Sequence, residues 1–141
     1  MIQATRKGKE AYIAKYMDTG RDEARAWLAF AEGKNDEALR LLRPVADRQD
    51  AEGKGEVELP AREMLADMLL DMGHPERALA EYETSLKTDP NRFNGLYGAA
   101  RAAEDAHHSE KAKLYYAQLL KNCENRERPE LARAKALVAK Q

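Results

Sequence analysis

The side chains equipped for chemistry are few and poorly spaced for it. His107 and His108 are adjacent, and on a helix neighbouring side chains diverge by about 100°, which keeps the pair from sharing one metal ion easily. His74-Pro75-Glu76 has a His-x-Glu spacing but lacks the Pro-Cys-x-x-Cys ligands of a zinc deaminase. Cys123 has Lys121 and Arg126 near it, cations that favour a reactive thiol, yet no histidine partner is identifiable by spacing. Ser85 and Ser109 lie outside any Gly-x-Ser-x-Gly turn, and Ser85 falls on a core-facing side of its segment. Gly53-Lys54-Gly55 lacks the upstream Gly and the following Ser or Thr of a phosphate loop. In Asp50, Glu52 and Lys54 a cation stands where a calcium loop needs an oxygen. These residues predict no catalytic site, no metal and no cofactor.

Composition agrees with that reading. In 141 residues, 24 Lys and Arg stand against 25 Asp and Glu, a formal charge of −1, so neither nucleic acid nor an acidic membrane is called for. A single cysteine excludes an internal disulfide. No apolar run approaches the roughly 20 residues of a membrane span, and the polar, basic residues 1–10 do not resemble a signal peptide. The expected compartment is cytoplasmic, a fragment of an exported protein aside. The length suits one domain.

The elements that would position any site read as helices throughout, because Ala, Leu, Glu, Lys and Arg dominate and Gly and Pro fall mostly between apolar-periodic segments. Tyr12, Ile13, Tyr16, Met17, Ala24, Trp27, Leu28 and Ala31 form one stripe from about Lys7 to Glu32. Gly20 interrupts it, with Thr19 and Asp22 placed to cap a second segment, and the expectation is one long or kinked helix. Gly33 ends it. A second helix is predicted from Asp36 to about Asp47, with Ala38, Leu41, Leu42 and Val45 inward and Pro44 imposing a bend or an early end. A polar loop is predicted over 48–59. Helices are then expected over Pro60–Met72, Pro75–Lys87, Asn91–Ala106, Ser109–Asn122 and from Pro129 onward, with prolines suited to first turns and glycine to ends.

Self-similarity is the most informative signal. A shift of 34 places Ala66 on Ala100, Ala78 on Ala112, Tyr82 on Tyr116 and Leu86 on Leu120, while a shift of 40 places Gly33 on Gly73 and Ala38 on Ala78. At these residues the chain resembles the tetratricopeptide repeat family, whose unit is an antiparallel helix pair. Leu65-Ala66, Leu69, Gly73, Ala78, Tyr82 and Pro90 follow the family's pattern, although Arg62 stands where an aromatic is expected, His107 where Gly is and Glu124 where Pro is. The resemblance implies an all-α, right-handed superhelical stack of about three hairpins: 7–47 with the N-terminal helix and a divergent first pair, 60–88, and 91–122. Residues 129–141 would form a capping helix with Lys135 and Lys140 in water.

The resemblance also implies a function. Family members hold peptides or helices on the concave surface of each pair's first helix, here Glu63, Met64, Asp67, Leu70 and Asp71, then Asn94, Tyr97, Arg101, Glu104 and Asp105, with Trp27 and Phe30 continuing it. Such a groove is acidic with aromatic anchors and predicts a basic or amphipathic protein partner. Glu63 and Asp67 argue against the Lys and Asn clamp with which some members grip acidic C-terminal tails. The expected role is therefore a non-catalytic interaction scaffold. Its rivals are a self-associating module, with an exposed end of the stack or 7–18 packing on a second copy as a homodimer, a piece of a larger repeat protein, and a small metal-dependent enzyme using His107, His108, Glu110 and Cys123.

Overall fold

A run of strong helix formers punctuated by glycine and proline yields helices and nothing else among the described residues. The computed structural model describes 2–52, 59–124 and 127–140, with side chains from Lys7 onward. Gly53-Lys54-Gly55, where no phosphate loop was expected, and Arg126, three residues after Cys123, lie outside the described residues. Seven helices are described: α1 (Ile2–Ala31), α2 (Asn35–Glu52), α3 (Ala61–Asp71), α4 (Pro75–Leu86), α5 (Phe93–Asp105), α6 (Ser109–Asn122) and α7 (Pro129–Val138). Where length suggested one domain, the chain's contacts fall into two compact units, Met1–Gly53 and Lys54–Gln141.

The first unit is the α1–α2 hairpin. Helix α1 runs unbroken through Gly20, and Thr19 caps nothing: its hydroxyl donates to the Lys15 carbonyl at 3.0 Å, one turn back in the same helix. The second helix passes Pro44 and reaches Glu52, so 48–52 is helical where a loop was predicted. Pro44 is exposed, and the helix beyond it is held by Val45, Ala46 and Gln49, all buried. Polar contacts extend the join: Gln49 donates to Glu23 at 2.9 Å, Arg48 to Thr19 at 3.4 Å, and Lys15 pairs with Glu52. The predicted α1 stripe is displaced. Ala26 and Ala29 are buried, Ala24, Leu28 and Ala31 lie exposed, and Tyr12 (63%) and Met17 (68%) face water together with Ile13 and Tyr16.

One turn design closes all three hairpins. Gly33 (φ 75°), Gly73 (φ 77°) and His107 (φ 62°) take the left-handed conformation. The next amide reaches five residues back in each case, Lys34 to Ala29 at 2.9 Å, His74 to Leu69 at 2.9 Å and His108 to Ala103 at 2.8 Å. These bonds occupy carbonyls that a helix end otherwise leaves unpaired. Four residues further, Ala38, Ala78 and Ala112 donate to Lys34, His74 and His108, and all three alanines are fully buried. A methyl group at that position takes little room between the paired helices.

In the second unit α3 packs on α4, α4 on α5, α5 on α6 and α6 on α7. Leu65, Met68, Leu69, Ala78, Leu79 and Tyr82 fill the first hairpin of this unit. Leu96, Ala100, Tyr116 and Leu119 fill the second, and Leu131 and Ala134 of α7 close its open side, as a capping helix should. Arg62, in place of the early aromatic, pairs with Glu81 of α4 at 2.8 Å with both side chains largely buried. Ala66, Ala100 and Ala134 follow one another at steps of 34 and are all fully buried, so α7 holds the place of a further first helix.

Candidate functional site

In the second unit the expected site residues sit on α3 and α5, which touch directly. The structure divides them by what their side chains already do. Glu63 and Met64 are both buried, Glu63 to 1%, in a stretch of α3 where nearly every residue is covered. Arg92 pairs with the Glu63 carboxylate at 2.8 Å, so this charge is spent inside the fold. Asp67 is half-buried and accepts the Tyr82 hydroxyl. Burial raises the Asp67 carboxyl above its ordinary range, against the lowering effect of that hydrogen bond, while burial and the adjacent carboxylate raise the phenol as well.

Glu104 repeats the arrangement one turn further along its own helix. It accepts the Tyr116 hydroxyl at 3.2 Å and the Arg133 guanidinium at 2.9 and 3.1 Å, tying α5 to both α6 and α7. Burial raises the Tyr116 phenol, with Glu104 adding to the rise. Three of the carboxylates expected to make the groove acidic are thus internal partners. Asp71 and Asp105 remain exposed near the C-terminal ends of α3 and α5.

Beside those two aspartates the face presents aromatic and cationic groups. Tyr97 is half-buried, stacks on Phe93 with centroids 6.3 Å apart, and meets the Tyr116 ring edge-on at 6.3 Å. The Arg101 guanidinium lies 5.8 Å from the Tyr97 centroid, within cation–π reach. Leu70 of α3 is half-buried, and Asn94, next to Phe93 in α5, is exposed. On the first unit Trp27 and Phe30 meet edge-on at 5.8 Å and are each half-buried, an aromatic pair belonging to α1.

Phe93 and Arg128 were not among the expected groove residues, and Lys135 was expected only as a solvated residue of the capping helix. Arg128 lies 4.4 Å over the Phe93 ring, and Lys135 is exposed on α7. The signal was present: one more step of 34 carries Asn94 to Arg128 and Arg101 to Lys135.

The candidate catalytic groups lie elsewhere and serve the fold. His107 supplies a turn, His108 sits 3.0 Å from Glu76, and Cys123 packs half-buried against the α5–α7 core. Glu83 accepts Lys111 at 2.7 Å and the Tyr115 hydroxyl at 2.8 Å, joining α4 to α6. Burial alone would raise the Glu83 carboxyl, but those bonds outweigh it and hold it below the ordinary range, while burial and Glu83 push the Tyr115 phenol up to about 12. Among the described residues no three His, Cys, Asp or Glu side chains come together as a metal site, and no helix is long and apolar enough to cross a membrane.

Hairpins with one turn design and alanine contacts at one register define a class: an all-α helical repeat with a tetratricopeptide-like fold. The comparison with solved structures agrees, for the chain is similar to PcrH from Pseudomonas aeruginosa, with a TM-score of 0.67 and 16% identity over 86% of this chain and 89% of that one. At that identity the likeness concerns the fold. No protein-family model and no curated protein matches the chain.

Proposed function

We propose that this chain is a non-catalytic scaffold that holds a segment of a partner protein against the first helices of the second unit. The observation that carries the reading is the Phe93–Tyr97 stack with Arg101 beside it, an aromatic surface left partly open while the neighbouring polar groups are engaged internally. Large aromatics and arginine supply most binding energy where they can be desolvated. Of the two partner chemistries expected, the amphipathic one is favoured, since Glu63, Asp67 and Glu104 are already committed. Trp27 and Phe30 are proposed as a separate aromatic contact on the first unit.

The test replaces Tyr97 and Arg101 together by Ala and compares proteins captured from cell extract with those taken by the wild type. Circular dichroism confirms the fold. Selective loss of captured proteins is the expected result, and an unchanged set would remove the groove from consideration.

A second reading is homodimerisation through α1, favoured by the exposure of Tyr12, Ile13, Tyr16 and Met17 on one helix face. Light scattering of the wild type and of Met17→Glu decides it: a dimer that the charge disrupts supports self-association, and a monomer throughout removes it.

A further inference from the structure

We infer that the α5–α7 side of this surface receives acidic side chains of the partner polypeptide, an inference that rests on the scaffold reading above. Along the repeat, the position held by Asp67 in α3 is held by Arg101 in α5 and Lys135 in α7, and that of Asn94 by Arg128 at the start of α7. The face therefore turns from acidic to basic in steps of 34 residues.

None of the three cations makes an ion pair among the described residues: Arg101 lies over Tyr97, Arg128 over Phe93, and Lys135 is exposed. Of the nearby carboxylates, Glu63 is paired with Arg92 and Glu104 with Arg133 and the Tyr116 hydroxyl, while Asp67, which accepts the Tyr82 hydroxyl, also feels the Arg101 charge, and Asp71 and Asp105 are exposed. A groove lined by Glu127, Arg128, Pro129, Leu131, Ala132 and Lys135 runs along the first turns of α7. Its floor is the buried Leu131, and Glu127 is the one carboxylate on its rim.

Cations partly shielded by aromatic rings attract a carboxylate more strongly than cations in open water. The occupant that fits is a segment with a large apolar side chain set against Tyr97 and Phe93 and with Asp or Glu next to it, reaching Arg101 and then Lys135 or Arg128. A lysine-rich segment would meet like charge there.

A displayed library of random short peptides, panned on the full chain, tests this. The expected yield is peptides combining Asp or Glu with Leu, Phe or Trp. They should bind Arg101→Gln/Lys135→Gln about tenfold more weakly, weaken with added salt, and also lose affinity for Tyr97→Ala. Lys135→Gln alone, at an exposed position, carries the readout if the double variant melts early. Lysine- and arginine-rich peptides that depend on Tyr97 would overturn the acidic specificity and leave the scaffold reading standing. Peptides indifferent to Tyr97→Ala, or no enrichment above background, would overturn both.

Discussion

At the scale of single residues, the energetics turn on groups the fold buries at a cost or holds in a strained conformation. Ser85 is 1% exposed and its hydroxyl has no hydrogen-bond partner among the described residues, at a position where the next repeat has the buried Leu119. Removing an unsatisfied buried hydroxyl recovers about 1 kcal/mol, so Ser85→Ala should raise the denaturant midpoint by the corresponding amount. Asp67 gives a pH signature. Its folded-state pKa lies above the unfolded value of 3.8 because burial penalises the charge. Protonation thus contributes stability that is complete below 3.8 and is lost as pH rises through the raised folded value. Asp67→Asn keeps an acceptor for Tyr82 and removes the charge. It should melt above the wild type at pH 7, with the gap closing as the pH falls below 4; a gap that is constant with pH would contradict the assignment. His107 pays for a left-handed backbone that glycine adopts freely, so His107→Gly should stabilise by about 1 kcal/mol in thermal melts.

Helices make opposite demands on their glycines. A methyl group on Gly98 of α5 would lie 2.3 Å from the Tyr82 ring, whereas one on Gly20 of α1 meets nothing within 4 Å. Alanine gains about 1 kcal/mol in helix propensity at either site, but at Gly98 the overlap costs roughly 1–3 kcal/mol and displaces the phenol from Asp67. Gly20→Ala should therefore raise the melting temperature and Gly98→Ala lower it. The capping helix offers a second contrast. Leu131 is buried in the α5–α7 core, while Arg133 pairs with Glu104 half in water. Leu131→Ala should destabilise the second unit by about 2–5 kcal/mol and Arg133→Ala by about 1 kcal/mol or less, both readable from chemical denaturation.

For the molecule as a whole, hairpins closed by the same turn and joined across hairpins by α4–α5 and α6–α7 packing should unfold without reference to metal. A chelator is expected to leave the helical circular dichroism and the melting curve unchanged; loss of structure would restore a metal-dependent role. Much of this architecture was legible in the residues. The Gly33, Gly73 and His107 turns, the Ala38, Ala78 and Ala112 approaches and the Tyr82 and Tyr116 spacers are local or periodic features, and steps of 40 and 34 expose them without coordinates. The end of α2 was not legible, since Pro44 argues locally for a break and only Val45, Ala46 and Gln49 packing on α1 carries the helix past it.

The linear order of residues determined the helices, their pairing into repeats and the face on which Tyr97 and Arg101 lie, because period and turn chemistry are properties of neighbours along the chain. Tertiary structure alone decided which of the nearby carboxylates are engaged inside the fold. Whether Glu63, Asp67 or Glu104 meets solvent depends on Arg92, Tyr82 and Arg133, residues 29, 15 and 29 positions away. A carboxylate's availability is set by what the fold brings beside it, and no periodicity records that.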